Sequence, residues 1–152
     1  QGEENVVQPV SFQRLQSLVA RNGWNVGTPE QVENPQFLYA YFDGVYTVFS
    51  TEHDNCLMVS AFGINNLTLS LDRFEDAVMW AADHNLGTNF GTSFITSDED
   101  EGTVMLRVDS AILCPAGATD EQLVEWVNVA LSANLAAMKR FAEHFDVQIE
   151  QR

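Results

Sequence analysis

"QFLYAYFDGVYTVFST", residues 36–51, decides the architecture of this chain. Two runs rich in aromatic and β-branched residues flank the dipeptide Asp43-Gly44. Such a dipeptide between apolar runs is the strongest short hairpin signal, because a type I′ turn needs positive φ at both central residues. A two-residue turn sets the register: Phe42 opposite Val45, Tyr41 opposite Tyr46, Tyr39 opposite Val48. Leu38, Ala40, Phe42, Val45 and Phe49 then share one face. Phe37, Tyr39, Tyr41, Tyr46 and Val48 share the other. Both faces are apolar, but the second is rich in tyrosine, whose large body and polar tip suit a surface that is alternately wet and covered. Two readings stay open for it: a partner-binding surface at Tyr39, Tyr41 and Tyr46, or a face covered by a terminal segment of the same chain.

Working outward, the turn "EHDN" leads into "CLMVSAFG", a third strand, so the three strands form an antiparallel meander. Upstream, Phe12, Leu15, Leu18 and Val19 recur on one helical face between Pro9 and Gly23, with Ser11 as N-cap and Gly23 as stop. A short strand is expected around Trp24 to Val26. Downstream, "LSLDRFEDAVMWAADHNLG" predicts a second helix whose core face carries Leu71, Phe74, Val78 and Ala81, with Ala77 and Trp80 beside it. "GTSFITS" and "GTVMLRVDSAILC" flank the acidic turn "DEDEG" and form a second hairpin. In its last strand Val104, Leu106 and Val108 alternate with Met105, Arg107 and Asp109, a pattern for one covered and one wetter face. The fold class is α+β, an antiparallel sheet with elements in the order α-β-β-β-α-β-β-α.

The last helix is "ATDEQLVEWVNVALSANLAAMKRFAEHF", residues 118–145. Thr119 and Gln122 make a capping box, and Asp120 and Glu121 suit the positive end of the helix dipole. Leu123, Val124, Val127, Leu131, Leu135, Met138, Phe141 and Phe145 gather on the core arc. A further strip, Trp126, Ala130, Ala133 and Ala137, has the spacing that lets another helix approach closely. Either it packs against the first or second helix of the same chain, or it is a self-association surface that makes the protein a homodimer. Asn134 lies within the apolar arc, where a polar group needs a partner or a place at the margin.

The chain has 152 residues, 45% of them hydrophobic and 19% charged, which fits a single soluble domain with a sizeable core. We place that domain at residues 9–147 and read residues 1–8, which start with Gln1, as an N-terminal extension or tag scar. The formal charge of -15 repels phosphate backbones, so nucleic acid and anionic membranes are poor partners. The apolar runs are too short for a membrane span. Cys56 and Cys114 are the only cysteines and suit buried free thiols in a reducing, cytoplasmic setting.

Catalytic chemistry finds little support. His53, His84 and His144 have no metal-ligand spacing. The cluster Glu52, His53, Asp54 sits at a hairpin tip. "SDEDEG", residues 97–102, lacks the spaced ligands of a calcium loop. "NLGTNFG" follows a helix instead of preceding one, unlike a phosphate-binding loop, and no GxSxG elbow occurs. We expect no catalytic residue, no metal and no cofactor.

Residues 74–141, from "FEDAVMWAADHNLG" through "LAAMKRF", resemble the C-terminal half of YbjN-like domains, a family of bacterial sensory transduction regulators. Asn85 and Asn89, the acidic turn 98–102, Asp109, Gly117, Glu121 and Phe141 occupy comparable places. The loop "LGTNFG" departs from the charged, Asn-rich stretch of the family. The order of elements is also that of the type III secretion chaperone fold, to which the YbjN-like domain is similar. The resemblance implies a non-enzymatic regulatory or chaperone-like module, an acidic dimer that binds an extended segment of another protein. The alternative is a small-molecule sensor, with an apolar ligand held between helix and sheet by Trp80, Phe94 and Phe141.

Overall fold

The computed structural model of the chain describes residues 6–51 and 56–150. Helix α1 spans Phe12–Arg21, β1 Phe37–Phe42, β2 Val45–Ser50 and β3 Cys56–Phe62. A two-residue strand β4, Leu69–Ser70, precedes α2, Phe74–Leu86. Strands β5, Thr92–Asp98, and β6, Thr103–Leu113, lead to the long helix α3, Asp120–Phe145. The six strands form one antiparallel sheet in the order β1-β2-β3-β6, with β4 and β5 also paired to β6. The fold class is therefore α+β, as the sequence pattern predicts. No described helix is long and apolar enough to cross a membrane.

The first hairpin has the predicted register, with Tyr41 against Tyr46 and Phe42 against Val45. Asp43 and Gly44 have φ of 48° and 83°, as the turn requires. Leu38, Ala40, Val45 and Phe49 point into the core, which α1, α2 and α3 cover. Val104, Leu106 and Val108 of β6 join them. Ser11 caps α1 by accepting the Arg14 N–H, and Thr119 and Gln122 form the capping box of α3.

Two local expectations change, and a third falls on residues not described. The segment around Trp24 makes no strand; it makes one bridge, Gly27 to Tyr39, and Trp24 stacks on Phe49 instead. The second helix starts later than predicted: Leu71–Arg73 is a 3₁₀ turn, and Leu71, Phe74 and Val78 are exposed. Its buried face is Ala77 and Ala81, because small side chains let α2 lie close to the sheet and to Phe141. The turn 52–55, with Glu52, His53 and Asp54, lies outside the described residues.

Helix α3 is rotated relative to the predicted wheel. Leu123, Val127, Met138, Phe141 and Phe145 are buried as expected, but so are Ala130, Asn134 and Ala137. Val124, Leu131 and Leu135 move to the half-buried margin. The alanines are the reason: with no bulk beyond Cβ they let the helix backbone settle against β3 and β6.

Candidate functional site

One side of the sheet carries the helices; the other carries a row of rings. Strand alternation sends Tyr39 and Tyr41 of β1, Tyr46 of β2, Phe62 of β3, Arg107 of β6 and Phe94 of β5 to the side opposite the core. Register then lines them up. Tyr41 faces Tyr46, Tyr46 faces Phe62, Phe62 faces Arg107 and Arg107 faces Phe94, each the direct partner of the next.

The contacts follow that line. Tyr41 and Tyr46 meet edge to face at 5.5 Å, while Tyr39 and Tyr46 at 6.1 Å and Tyr46 and Phe62 at 5.9 Å are tilted pairs. The Arg107 guanidinium lies 4.9 Å from the Phe62 ring centre and 5.4 Å from that of Phe94. Asp109 holds the same guanidinium at 2.8 Å. Cross-strand ring pairs and cation–π contacts of this kind are each worth roughly 0.5–1.5 kcal/mol, so the row is an ordered surface. Burial, and then the neighbouring Tyr39 and Tyr41, push the Tyr46 hydroxyl above its ordinary pKa.

Beside the row lies an open trough of about 280 Å³, lined by Phe37, Val48, Met58, Ser60, Phe62 and Arg107. Two chain segments border it at the β1 edge and the hairpin tip. A β-carbon on Gly27 would come within 2.7 Å of the Tyr39 ring, so that ring packs closely against the glycine. Glu150 reaches the hairpin tip beside Gly44. Tyr41 remains 40% exposed.

The structure therefore brings Tyr39, Tyr41 and Tyr46 together on one face, with Tyr41 exposed and the other two half-buried. It adds Phe62, Phe94 and Arg107, which the sequence reading did not connect to them. Alternation in β6 signals that Arg107 faces away from the core, but its place beside Phe62 depends on the β3–β6 register, a long-range pairing.

The strip on α3 is divided. Ala130 and Ala137 are buried in the chain's own core, Ala133 is half-buried, and Trp126 is half-buried against the α1 side of the core. The indole Nε1 is buried without an acceptor among the described residues. Ala130 and Ala137 are thus unavailable to a second helix, because β3 and β6 already occupy the space their small size creates.

The predicted sensor pocket is not formed. Trp80 and Phe141 pack edge to face at 5.3 Å and fill the space between α2 and α3. Phe94 is on the opposite side of the sheet with Arg107. Trp80 also stacks on His84, whose pKa burial and then Arg140 pull down. Burial pushes the Cys114 thiol up, with Cys56 adding to it, so the thiol stays protonated and a weak nucleophile. At the acidic turn, Asp98 accepts the Asp100 and Glu101 N–H groups at 3.0 and 3.1 Å, the work of a turn-former.

Against known proteins, residues 11–146 match the sequence pattern of the YbjN family, described as "Putative bacterial sensory transduction regulator". The fold is similar to that in a crystal structure of YbjN, described as "a putative transcription regulator from E. coli". That chain is 17% identical with a TM-score of 0.74, over 93% of this chain and 98% of the other. At that identity the likeness speaks for the fold. No curated protein is significantly similar to this one.

Proposed function

The chain belongs to the YbjN family, and from that premise we propose that it is a non-enzymatic regulatory module that binds another protein through the ring-lined face of its sheet. The observation that carries this reading is the unbroken line Tyr41–Tyr46–Phe62–Arg107–Phe94 on the side away from the helices. Tyr41 is exposed and the other rings of the line are half-buried, so each keeps part of its apolar surface in water, and a contiguous ordered row of this kind suits a partner that covers it. Tyrosines suit intermittent cover, since their hydroxyls stay hydrated while their rings are buried. An extended segment laid over the trough buries Val48, Met58 and Phe62, and the net charge of -15 disfavours acidic competitors.

The test is affinity capture from a bacterial lysate with the wild-type chain and with the double variant Tyr39→Ala, Tyr41→Ala. The wild type retains a specific partner and the double variant loses it, while circular dichroism of the two stays the same. Equal retention by both proteins removes the sheet face from the reading, and no retained partner at all removes the binding function.

A further inference from the structure

A second surface lies at the other end of β6, where its partner strand stops short. On one side β6 is paired by β4 at residues 103–104 and by β3 at residues 107–113. On the other side β5 pairs residues 103–109 and ends, with Thr92 opposite Asp109. The cause is Gly91. Its φ of 79° turns the chain out of the sheet toward α3, where a β-carbon would come within 3.3 Å of the Asn134 and Ser110 side chains. Residues 110–113 of β6 are left without a strand on that side.

Which main-chain groups face the gap follows from alternation. The Gly63 N–H donates to the Leu106 carbonyl at 2.8 Å, so even-numbered residues of β6 direct their main chain toward β3. Odd-numbered residues direct theirs toward β5. Ala111 and Leu113 therefore present N–H and C=O groups where β5 has ended, and both residues are exposed.

The gap opens onto a groove of about 540 Å³ beside α3, lined by Phe90, Ile112, Leu113, Trp126, Val129 and Glu125. Leu113 is 74% and Phe90 55% exposed, unusual values for such side chains. The one charged side chain that lines the groove is acidic, Glu125. Glu121 lies in the adjoining hollow along α3, where Arg21 is held at 2.5 Å by Asp120, and neither glutamate is ion-paired among the described residues.

We propose that this gap takes an extended, cationic segment of another protein, which adds to β6 as an antiparallel strand in line with β5. Its residues opposite Ala111 and Leu113 exchange main-chain hydrogen bonds with them. Alternate apolar side chains turn toward Ile112, Trp126 and Val129, and flanking lysines or arginines meet Glu121 and Glu125. The open edge is about 13 Å long at the rise of a strand, so the core of the segment is short. A second copy of the chain fits poorly, because it brings another charge of -15 to an acidic surface.

The probe is the peptide acetyl-Lys-Lys-Val-Thr-Val-Thr-Val-Lys-Lys-amide, carrying a fluorophore and measured by anisotropy at physiological salt. Its threonines pair with the edge and its valines face α3. N-methylation of both threonines keeps every charge but removes the pairing donors, and weakens binding roughly tenfold or more. Ala111→Pro removes an N–H that bonds no neighbouring strand and weakens binding by a similar factor, with an unchanged circular dichroism spectrum. Tyr39→Ala with Tyr41→Ala leaves this peptide's affinity unaltered, which separates the gap from the ring-lined face. Hydrogen exchange reads the same contact directly: the Ala111 and Leu113 amides exchange fast in the free protein and slow with peptide. Equal binding of the methylated peptide reduces the interaction to charge and overturns the proposal. Slow exchange in the free protein together with a dimer by light scattering assigns the gap to a second copy, and also overturns it.

Discussion

Asn134, buried under α3, donates a 3.0 Å hydrogen bond to the main-chain carbonyl of Val59 on β3. Its own carbonyl accepts the Ser110 hydroxyl of β6 at 2.7 Å. One side chain thus ties the long helix to two neighbouring strands. Replacing Asn134 with Ala leaves the buried Ser110 hydroxyl without its acceptor and takes the second of two bonds from the Val59 carbonyl, which stays paired to Ser110 in the sheet. We expect a loss of about 1–3 kcal/mol, the cost of one orphaned buried group, measured by urea denaturation. Ser110→Ala costs less, since Asn134 keeps its bond to Val59.

Gly44 has φ of 83° and lies under the C-terminal segment, so that a β-carbon would land on the Glu150 carbonyl. Gly44→Ala therefore meets two penalties. The left-handed conformation alone costs a side-chain-bearing residue about 1–2 kcal/mol. The displaced tail adds to it, and faster hydrogen exchange at Val147 and Ile149, compared with wild type, reports that displacement.

The Arg14 guanidinium beside Asp120 holds its carboxyl below the usual carboxylate range; burial opposes this and Arg21 supports it. A carboxyl that gives up its proton more readily when folded stabilises the fold above its unfolded pKa of about 3.9, and the contribution disappears as pH falls through the folded value. Asp120→Asn is expected to lower stability at neutral pH. It also flattens the acid limb below about pH 4 in thermal melts across pH.

Tyr46 responds at the opposite end of the scale. Its pKa is raised, first by burial and then by Tyr39 and Tyr41, so the folded state holds the proton longer than the unfolded chain. Stability from this group is complete below the unfolded pKa of about 10 and is lost as pH rises through the folded value. Tyr46→Phe removes that alkaline loss, and melting temperatures of variant and wild type diverge above about pH 10.

The elements with strong local signals were legible in the sequence. Asp43-Gly44 dictated both the first hairpin and its register, and Thr119 with Gln122 marked the start of α3. Tyr39, Tyr41 and Tyr46 could be assigned to one face because period-two alternation needs no knowledge of the rest of the chain. What escaped was set by contacts across the fold. Ala130 and Ala137 looked like a spare strip because bulk, not proximity to β3 and β6, decides a helical wheel. Phe94 and Phe141 looked like neighbours until the β5–β6 register put the sheet between them. The edge at Ala111 and Leu113 arises from Gly91, whose turn toward α3 no local pattern announces.

The position of β6 at the centre of the sheet also constrains how the chain is made. The β1–β2–β3 meander has its final neighbour only once residues 107–113 have been translated and have left the ribosome. Until then the outer edge of β3 is bare on every nascent chain. Polysomes carrying this message hold many such edges close together, so any pause in synthesis between the emergence of β3 and that of residues 107–113 lengthens the time that newly made copies are exposed to one another.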